Sequence, residues 1–266
     1  MTDATPPTAT APPRPASAPV LGIPLALEGY EAVLTWMDAA IAAGSREYVC
    51  VAATHTVMAA QEDPELHAAV LGSSLTVPDG QPLVWALRAY GHDLGDRVYG
   101  PELMERACAR AARTGARIFL YGGRDQQALD DLVRQLRERH PGIVIAGTYK
   151  PVYRPLSTDE QREVAAVIND AAPDIVWVGL GVPRQELWMA TMRPQLDAPV
   201  LVGVGAAFDF LSGTVAQAPP WIQRAGLEWL FRLTREPKRL WRRYARYNPR
   251  FVVGFAREWW GMRRAR

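Results

Sequence analysis

Cysteine is scarce in this chain. The 266 residues hold two, Cys50 in an apolar strand-like run and Cys108 in a helix-like run, which is neither a disulfide framework nor a thiolate metal set; a reducing compartment fits best. Histidine is equally thin, and four scattered copies do not make a metal site. The chain has no Asp-x-Asp metal-diphosphate motif and no P-loop. It also lacks a strand-linked Gly-x-Gly-x-x-Gly with a downstream acid, which argues against a nicotinamide-dependent oxidoreductase. The first residues carry no basic start and apolar stretch of a secretory type, and no run approaches the ~18 apolar residues of a spanning helix, so a cytosolic or peripherally attached protein is expected. No repeat of solenoid length is present.

Charge is plentiful but unevenly placed. Residues 221–266 hold thirteen Lys and Arg against three Asp and Glu, a net +10, which leaves −8 on residues 1–220 although the whole chain sums to only +2. Such segregation points to an anionic partner for the last segment, either an acidic membrane surface or nucleic acid. That segment interleaves Arg with aromatics such as Trp229, Trp241, Tyr244, Phe255 and Trp260. Pro237 and Pro249 are expected to divide it into short amphipathic helices. At the other end, residues 1–19 are built from Pro, Ala and Thr and are expected to be a disordered leader.

Between these ends, short apolar runs alternate with helix-like stretches. Tyr48–Ala53 precedes 57–70, Ser74–Val77 precedes 82–90, and Arg117–Tyr121 precedes 125–139. Ile143–Ala146, Ile175–Val178 and Val200–Val204 lead in the same way to 158–171, 184–193 and 207–212. This order predicts an α/β class with a Rossmann-like, mostly parallel sheet covered by helices on both faces over residues 20–220, followed by a helical basic and aromatic appendage over 221–266. Ligands of such sheets sit beyond the carboxyl ends of the strands.

Four strand ends carry polar chemistry. Asp79, in Leu75-Thr-Val-Pro-Asp-Gly80, is placed for a general base, although Pro-Asp-Gly also makes a simple turn. Gly122 and Gly123, in Tyr121-Gly-Gly-Arg-Asp125, open a helix whose free N–H groups could hold a diphosphate or a ribose, or they form a tight turn. Gly181 and Gln185, in Val178-Gly-Leu-Gly-Val-Pro-Arg-Gln-Glu186, suit sugar or phosphate contacts, and Glu186 also fits a solvated first turn that complements the helix dipole. Gly205 and Asp209, in Val202-Gly-Val-Gly-Ala-Ala-Phe-Asp-Phe210, repeat the arrangement, with Asp209 either binding substrate or capping a helix. His55, past the first strand, is an acid/base candidate or a structural histidine.

Taken together, five segments resemble the WecG/TagA/CpsF family, glycosyltransferase family 26, in order and spacing. They are Val77-Pro-Asp-Gly-Gln-Pro-Leu-Val-Trp85, Arg97-Val-Tyr-Gly-Pro-Glu-Leu-Met104, Phe119-Leu-Tyr-Gly-Gly123, Gly179-Leu-Gly-Val-Pro-Arg-Gln-Glu186 and Gly203-Val-Gly-Ala-Ala-Phe-Asp209. In the tail, Ala218-Pro-Pro-Trp-Ile222, Leu227-Glu-Trp-Leu-Phe-Arg-Leu233 and Glu236-Pro-Lys-Arg-Leu240 are also similar to the family. The resemblance implies inverting, metal-independent transfer of a hexose-type sugar from a UDP-sugar to a polyprenyl-diphosphate-linked sugar, in bacterial surface polysaccharide or wall-polymer synthesis. It implies no cofactor, no nucleic acid partner and action at the inner face of the cytoplasmic membrane, and it leaves a homo-oligomer open. Asp79 then matches the catalytic base, Gln185 a substrate-contacting Gln, and Arg232, Arg239 and Arg242 the arginines that neutralise the diphosphate. One departure is visible: many members carry Thr-x-Asn after the first strand, where this chain has Ala53 followed by Thr54 and His55, so the latter two are left to make the missing contact. On tail composition alone, a non-enzymatic nucleotide-binding module that holds a membrane or nucleic acid is also consistent.

Overall fold

The computed structural model describes residues 11–264. It begins with an antiparallel ribbon of β1 (Ser17–Val20) and β2 (Ile23–Ala26), joined by Leu21 and Gly22 at positive φ, the turn geometry that suits the twist of a two-residue hairpin. The leader expected over residues 1–19 therefore loses Ser17–Pro19 to a strand, because Ala18 and Val20 have an apolar surface to bury; residues 1–10 lie outside the described part.

The body follows as α1 (Tyr30–Ala43), β3 (Glu47–Ala52), α2 (Thr54–Ala60), α3 (Pro64–Leu71), β4 (Leu75–Pro78), α4 (Gln81–Ala89) and α5 (Gly100–Thr114). It continues with β5 (Arg117–Gly122), α6 (Gln126–Arg139), β6 (Val144–Tyr149), α7 (Thr158–Asp170), β7 (Ile175–Gly179), α8 (Arg184–Met192), β8 (Val200–Gly203) and α9 (Ala207–Leu211). The six strands β3 to β8 form one parallel sheet in the order β4-β3-β8-β7-β5-β6. Alternation sorts each strand between two faces: Val49, Ile118, Leu120, Trp177 and Val202 enter one core under α1, α5, α6 and α9, while Tyr48, Phe119, Val176 and Leu201 enter another under α7 and α8. A sheet buried on both faces explains why these strands read as continuous apolar runs.

Two helices stand outside the strand–helix alternation read from the sequence, although Cys108 of α5 was placed in a helix-like run. In α5 the apolar residues Leu103, Met104, Ala107, Cys108 and Ala111 recur at helical spacing behind Pro101, and the helix stops at Gly115 in the left-handed region. α1 likewise stops at Gly44. The single helix expected over 57–70 is two, because Asp63 caps α3 by accepting from the N–H groups of Glu65 and Leu66, with Pro64 opening it.

The tail comprises α10 (Pro220–Arg224), α11 (Glu228–Arg235) and α12 (Pro237–Arg264). Pro237 starts α12 as expected, whereas Pro249 sits inside it without ending it. A proline there costs about 3 kcal/mol. The helix continues because its apolar stripe of Tyr247, Phe251, Phe255, Trp259 and Met262 is held against the core cluster built by β1, β2, α2, α3 and α4. Leu240 and Phe251 are buried, Phe255 stacks on Tyr90 at 5.6 Å, and Glu258 accepts the Leu21 N–H of the ribbon turn at 2.9 Å. The appendage is thus packed onto the sheet domain and roofs its carboxyl-terminal edge.

Candidate active site

Every strand end singled out in the sequence opens toward one region beneath the tail. Asp79, following β4, is fixed at two points: its N–H bonds Ala52 O at 2.8 Å, and its Oδ1 accepts the Gly100 N–H at 2.8 Å. Gly100 opens the fifteen-residue α5, so the carboxylate faces a helix N-terminus. Its second oxygen has no donor among the described residues. Burial pushes the Asp79 pKa up to about 6, opposed by the Arg97 guanidinium and the Gly100 N–H and reinforced by Glu228. A carboxyl held near neutrality, anchored yet open on one side, has the properties of a general base. The turn reading of Pro-Asp-Gly and the acid reading are both satisfied here, since Gly80 caps α4.

A polar cavity of about 390 Å³ spreads from Asp79 over the ends of β3, β5, β7 and β8. Gly123, Gly181 and Gly205 line it, all at positive φ. Gly122 does not. A Cβ there would lie 2.6 Å from Gly179 O, so this glycine allows β5 to approach β7 and is not a contact to the cavity. Gln185 lines the cavity while its amide is held from within: Oε1 accepts the Gly181 N–H at 3.1 Å and Nε2 donates to Glu186 Oε1 at 3.0 Å. Glu186 itself is fully buried, with burial pushing its pKa up to about 7, so its first-turn position is not the solvated one that the sequence allowed. Asp209 lies inside α9 and not at its N-cap, and its carboxylate meets Arg124 at 3.2 Å on the cavity wall.

The roof is cationic. Arg232 from α11 and Arg239 and Arg243 from α12 line the same cavity. The buried Nε atoms of Arg232 and Arg243 have no hydrogen-bond partner among the described residues. Burial, with further repulsion from Arg232 and Arg239, holds the Arg243 pKa below the ordinary arginine value. Arg239 is exposed and pairs with Glu236 at 2.6 Å, whereas the two buried Nε donors of Arg232 and Arg243 crowd against one wall, an arrangement that fits an anion with several oxygens. Arg242 is not among them: it is exposed and lies over the Trp241 ring at 5.5 Å. Arg243, which shares the inward helical face with Arg239 one turn earlier, stands where Arg242 was expected.

A second cavity, of about 680 Å³, meets the first at Ala53, His55, Asp79, Arg232 and Arg243. Its remaining wall is largely apolar, including Trp85, Trp229, Phe251 and Phe255, and Thr54 lines it at the inner end. His55 therefore faces both spaces; burial and the Arg243 and Arg232 guanidiniums hold its pKa well below the usual histidine range, so it presents a neutral imidazole. Among the described residues, no group of three His, Cys, Asp or Glu is arranged to hold a metal ion.

Besides Arg243, the sequence reading missed Arg124 and Arg97. Arg97 is buried, donates to Glu228 Oε2 at 2.8 Å, to Gln223 Oε1 at 3.0 Å and to Asp79 O at 3.4 Å, and lies over the Tyr99 ring at 4.1 Å. It ties the base-bearing turn to α10 and α11. Its signal was present, since a charged residue opens the apolar Arg97-Val-Tyr-Gly segment, but its side-chain acceptors Gln223 and Glu228 lie more than a hundred residues away.

The family model described as "Glycosyl transferase WecG/TagA/CpsF family" matches residues 18–265. Among curated proteins, the N-acetylglucosaminyldiphosphoundecaprenol N-acetyl-beta-D-mannosaminyltransferase of Bacillus spizizenii is 34% identical over 184 residues, covering 69% of each chain. The protein of the same name from Bacillus subtilis is 34% identical over 185 residues, 70% of each chain.

Proposed function

Since this chain belongs to the WecG/TagA/CpsF glycosyltransferase family, we propose that it transfers a hexose-type sugar from a UDP-sugar to a polyprenyl-diphosphate-linked sugar, with inversion at the anomeric carbon. The chain is a glycosyltransferase; what is proposed is its donor, its acceptor and its chemistry. The observation that carries the reading is the position of Asp79 at the junction of a cationic cavity and an apolar one. The donor diphosphate would sit under Arg232, Arg239 and Arg243, with the glycine-lined ends of β5, β7 and β8 bringing backbone close to the nucleotide sugar. The acceptor hydroxyl would approach from the side of Thr54 and His55.

Asp79 takes the proton of that hydroxyl as its oxygen attacks the anomeric carbon, the bond to the diphosphate oxygen breaks, and the guanidiniums stabilise the charge growing on UDP. The cation that a metal would otherwise supply comes from arginine in this scheme. Arg243→Met is expected to lower turnover by roughly 10²-fold or more, the usual cost of losing a charge-stabilising donor, with melting temperature held or raised because a crowded buried cation is relieved. Steady-state rates beside a thermal melt check it. Equal rates for variant and parent would remove Arg243 from the leaving-group site.

The names of the two Bacillus relatives make N-acetylmannosamine the first sugar to try and N-acetylglucosaminyl-diphospho-undecaprenol the first acceptor class. A screen of UDP-sugars, each with a diphosphate-linked N-acetylglucosamine acceptor, tests the whole reading. Release of UDP from none of them would overturn it.

No helix among the described residues is long and apolar enough to cross a membrane. The tail nevertheless exposes Trp221, Trp241, Val252 and Trp260 beside the +10 segment, the pairing of apolar and basic groups that favours an anionic lipid surface. We therefore place the protein, as part of the proposal, peripherally on the inner face of the membrane. Trp241→Ser with Trp260→Ser should weaken co-sedimentation with anionic vesicles by about tenfold or more, and raised salt should weaken the parent. Unchanged sedimentation would count against that attachment.

A further inference from the structure

The apolar cavity beside Asp79 adjoins a second hollow that the transfer reaction itself does not require. Trp229, Tyr244, Asn248 and Val252 line the 680 Å³ cavity and also an open hollow of about 530 Å³ on the outer surface of α11 and α12, where Trp241 and Leu233 complete the wall. The two spaces therefore share a wall, so that apolar side chains run from the cavity beside the base to the exposed aromatic face of the tail. Along α12, the distance from Arg243 at the inner end to Val252 at the outer end is nine residues of helix, roughly 14 Å. At the outer end the surface is apolar yet open to water: Val252 is 62% exposed and Trp241 52%.

The chemistry along this path changes in a fixed order. Asp79, His55 and the guanidiniums of Arg232 and Arg243 stand together at the inner end, where the two cavities meet, with Thr54 on the same cavity, and a mainly aromatic and aliphatic wall that includes Tyr244 and Asn248 leads out to the surface. A free sugar or nucleotide would leave the mainly apolar outer part unfilled, and a soluble peptide would bury most of its amides there unpaired. A molecule with a hydroxylated, anionic head and a long hydrocarbon tail matches both ends.

Resting on the glycosyltransferase reading above, we propose that the path between α4, α11 and α12 is the binding channel for the first isoprene units of the acceptor. On this assignment the lipid chain leaves the enzyme past Trp229 and Val252 straight into the surface that carries Trp241, so the acceptor reacts while the rest of its chain stays in the bilayer. Affinity for the acceptor then rises with each methylene that leaves water inside the channel. The channel also selects against lipid-free sugar diphosphates, which would occupy the inner end only.

The test uses the full chain, the donor sugar identified by the screen, and two acceptors: a farnesyl-diphosphate-linked sugar and the same sugar diphosphate capped by a methyl group. The parent should show a KM at least tenfold lower for the farnesyl acceptor. Val252→Trp, a change at an exposed position that narrows the outer opening, should raise the farnesyl KM at least tenfold and change that of the methyl-capped acceptor less than twofold. Asn248→Phe should act in the same sense, and Val167→Trp on the remote α7 should shift neither. Equal KM values for the two acceptors in the parent, or blocking variants that affect both acceptors alike, would overturn the channel while leaving the transferase reading intact. Absence of transfer to either acceptor by the parent would overturn both.

Discussion

Asp79→Asn is expected to lose between about 10² and 10⁴ of the transfer rate, the range over which a positioned general base contributes. The amide keeps an oxygen that accepts the Gly100 N–H, so the turn between β4 and α4 should survive, and with it donor binding. Removing a carboxyl whose charged form burial disfavours leaves stability at neutral pH unchanged or higher. The parent's pH profile supplies a second readout. The base must be deprotonated, and the folded pKa is raised to about 6, so kcat/KM should fall tenfold per pH unit below about 6 and level off above it. Titration of UDP binding alongside the rate separates a lost base from a lost fold. A variant with near-parental turnover, or a parent profile flat through pH 6, would remove Asp79 from proton transfer.

Arg97→Met should cost about 3–5 kcal/mol of stability, because it leaves the Glu228 carboxylate buried without its partner. Chemical denaturation measures this directly. If the loss comes from the orphaned charge and not from packing, the double variant Arg97→Met with Glu228→Leu should recover most of it, since a buried pair replaced by apolar groups of similar volume is often neutral. The kinetic consequence differs from the structural one. Arg97 lowers the Asp79 pKa and Glu228 raises it, so the acid limb of the rate profile should move above pH 6 in Arg97→Met and back toward its original position in the double variant. An acid limb that stays in place while stability falls would make Arg97 a purely structural tie between the base-bearing turn and α11.

The second prediction concerns a contact between the sheet domain and the tail, and there the sequence was least informative. The parallel sheet was legible because strands buried on both faces read as uninterrupted apolar runs, and the six runs from Tyr48 to Val204 correspond to β3 through β8. Asp79 was legible because a carboxylate after a strand at Pro-Asp-Gly stands out, and the glycine-rich segments after β7 and β8 were legible for the same positional reason. The assignment of Gly122 to the binding site failed for lack of depth: positive φ beside Gly123 looks like a ligand loop until the backbone of Gly179 is found in the space a side chain would fill. Arg242 was chosen over Arg243 because spacing along a chain does not tell which side of a helix meets the core.

The amino-acid order by itself determined the α/β class, the strand ends at which chemistry collects, and the charge asymmetry of the tail. All of these are local: burial periodicity, turn chemistry and composition can be read within a few residues. Only the tertiary structure decided that the tail is a roof and not a tether, because that rests on Phe251, Phe255 and Glu258 meeting residues more than 150 positions earlier. It likewise decided which arginines face inward and that Asp79 stands between a cationic space and an apolar one. Those properties arise from how α11 and α12 are rotated against the sheet, and that rotation is set by long-range packing that no local pattern encodes.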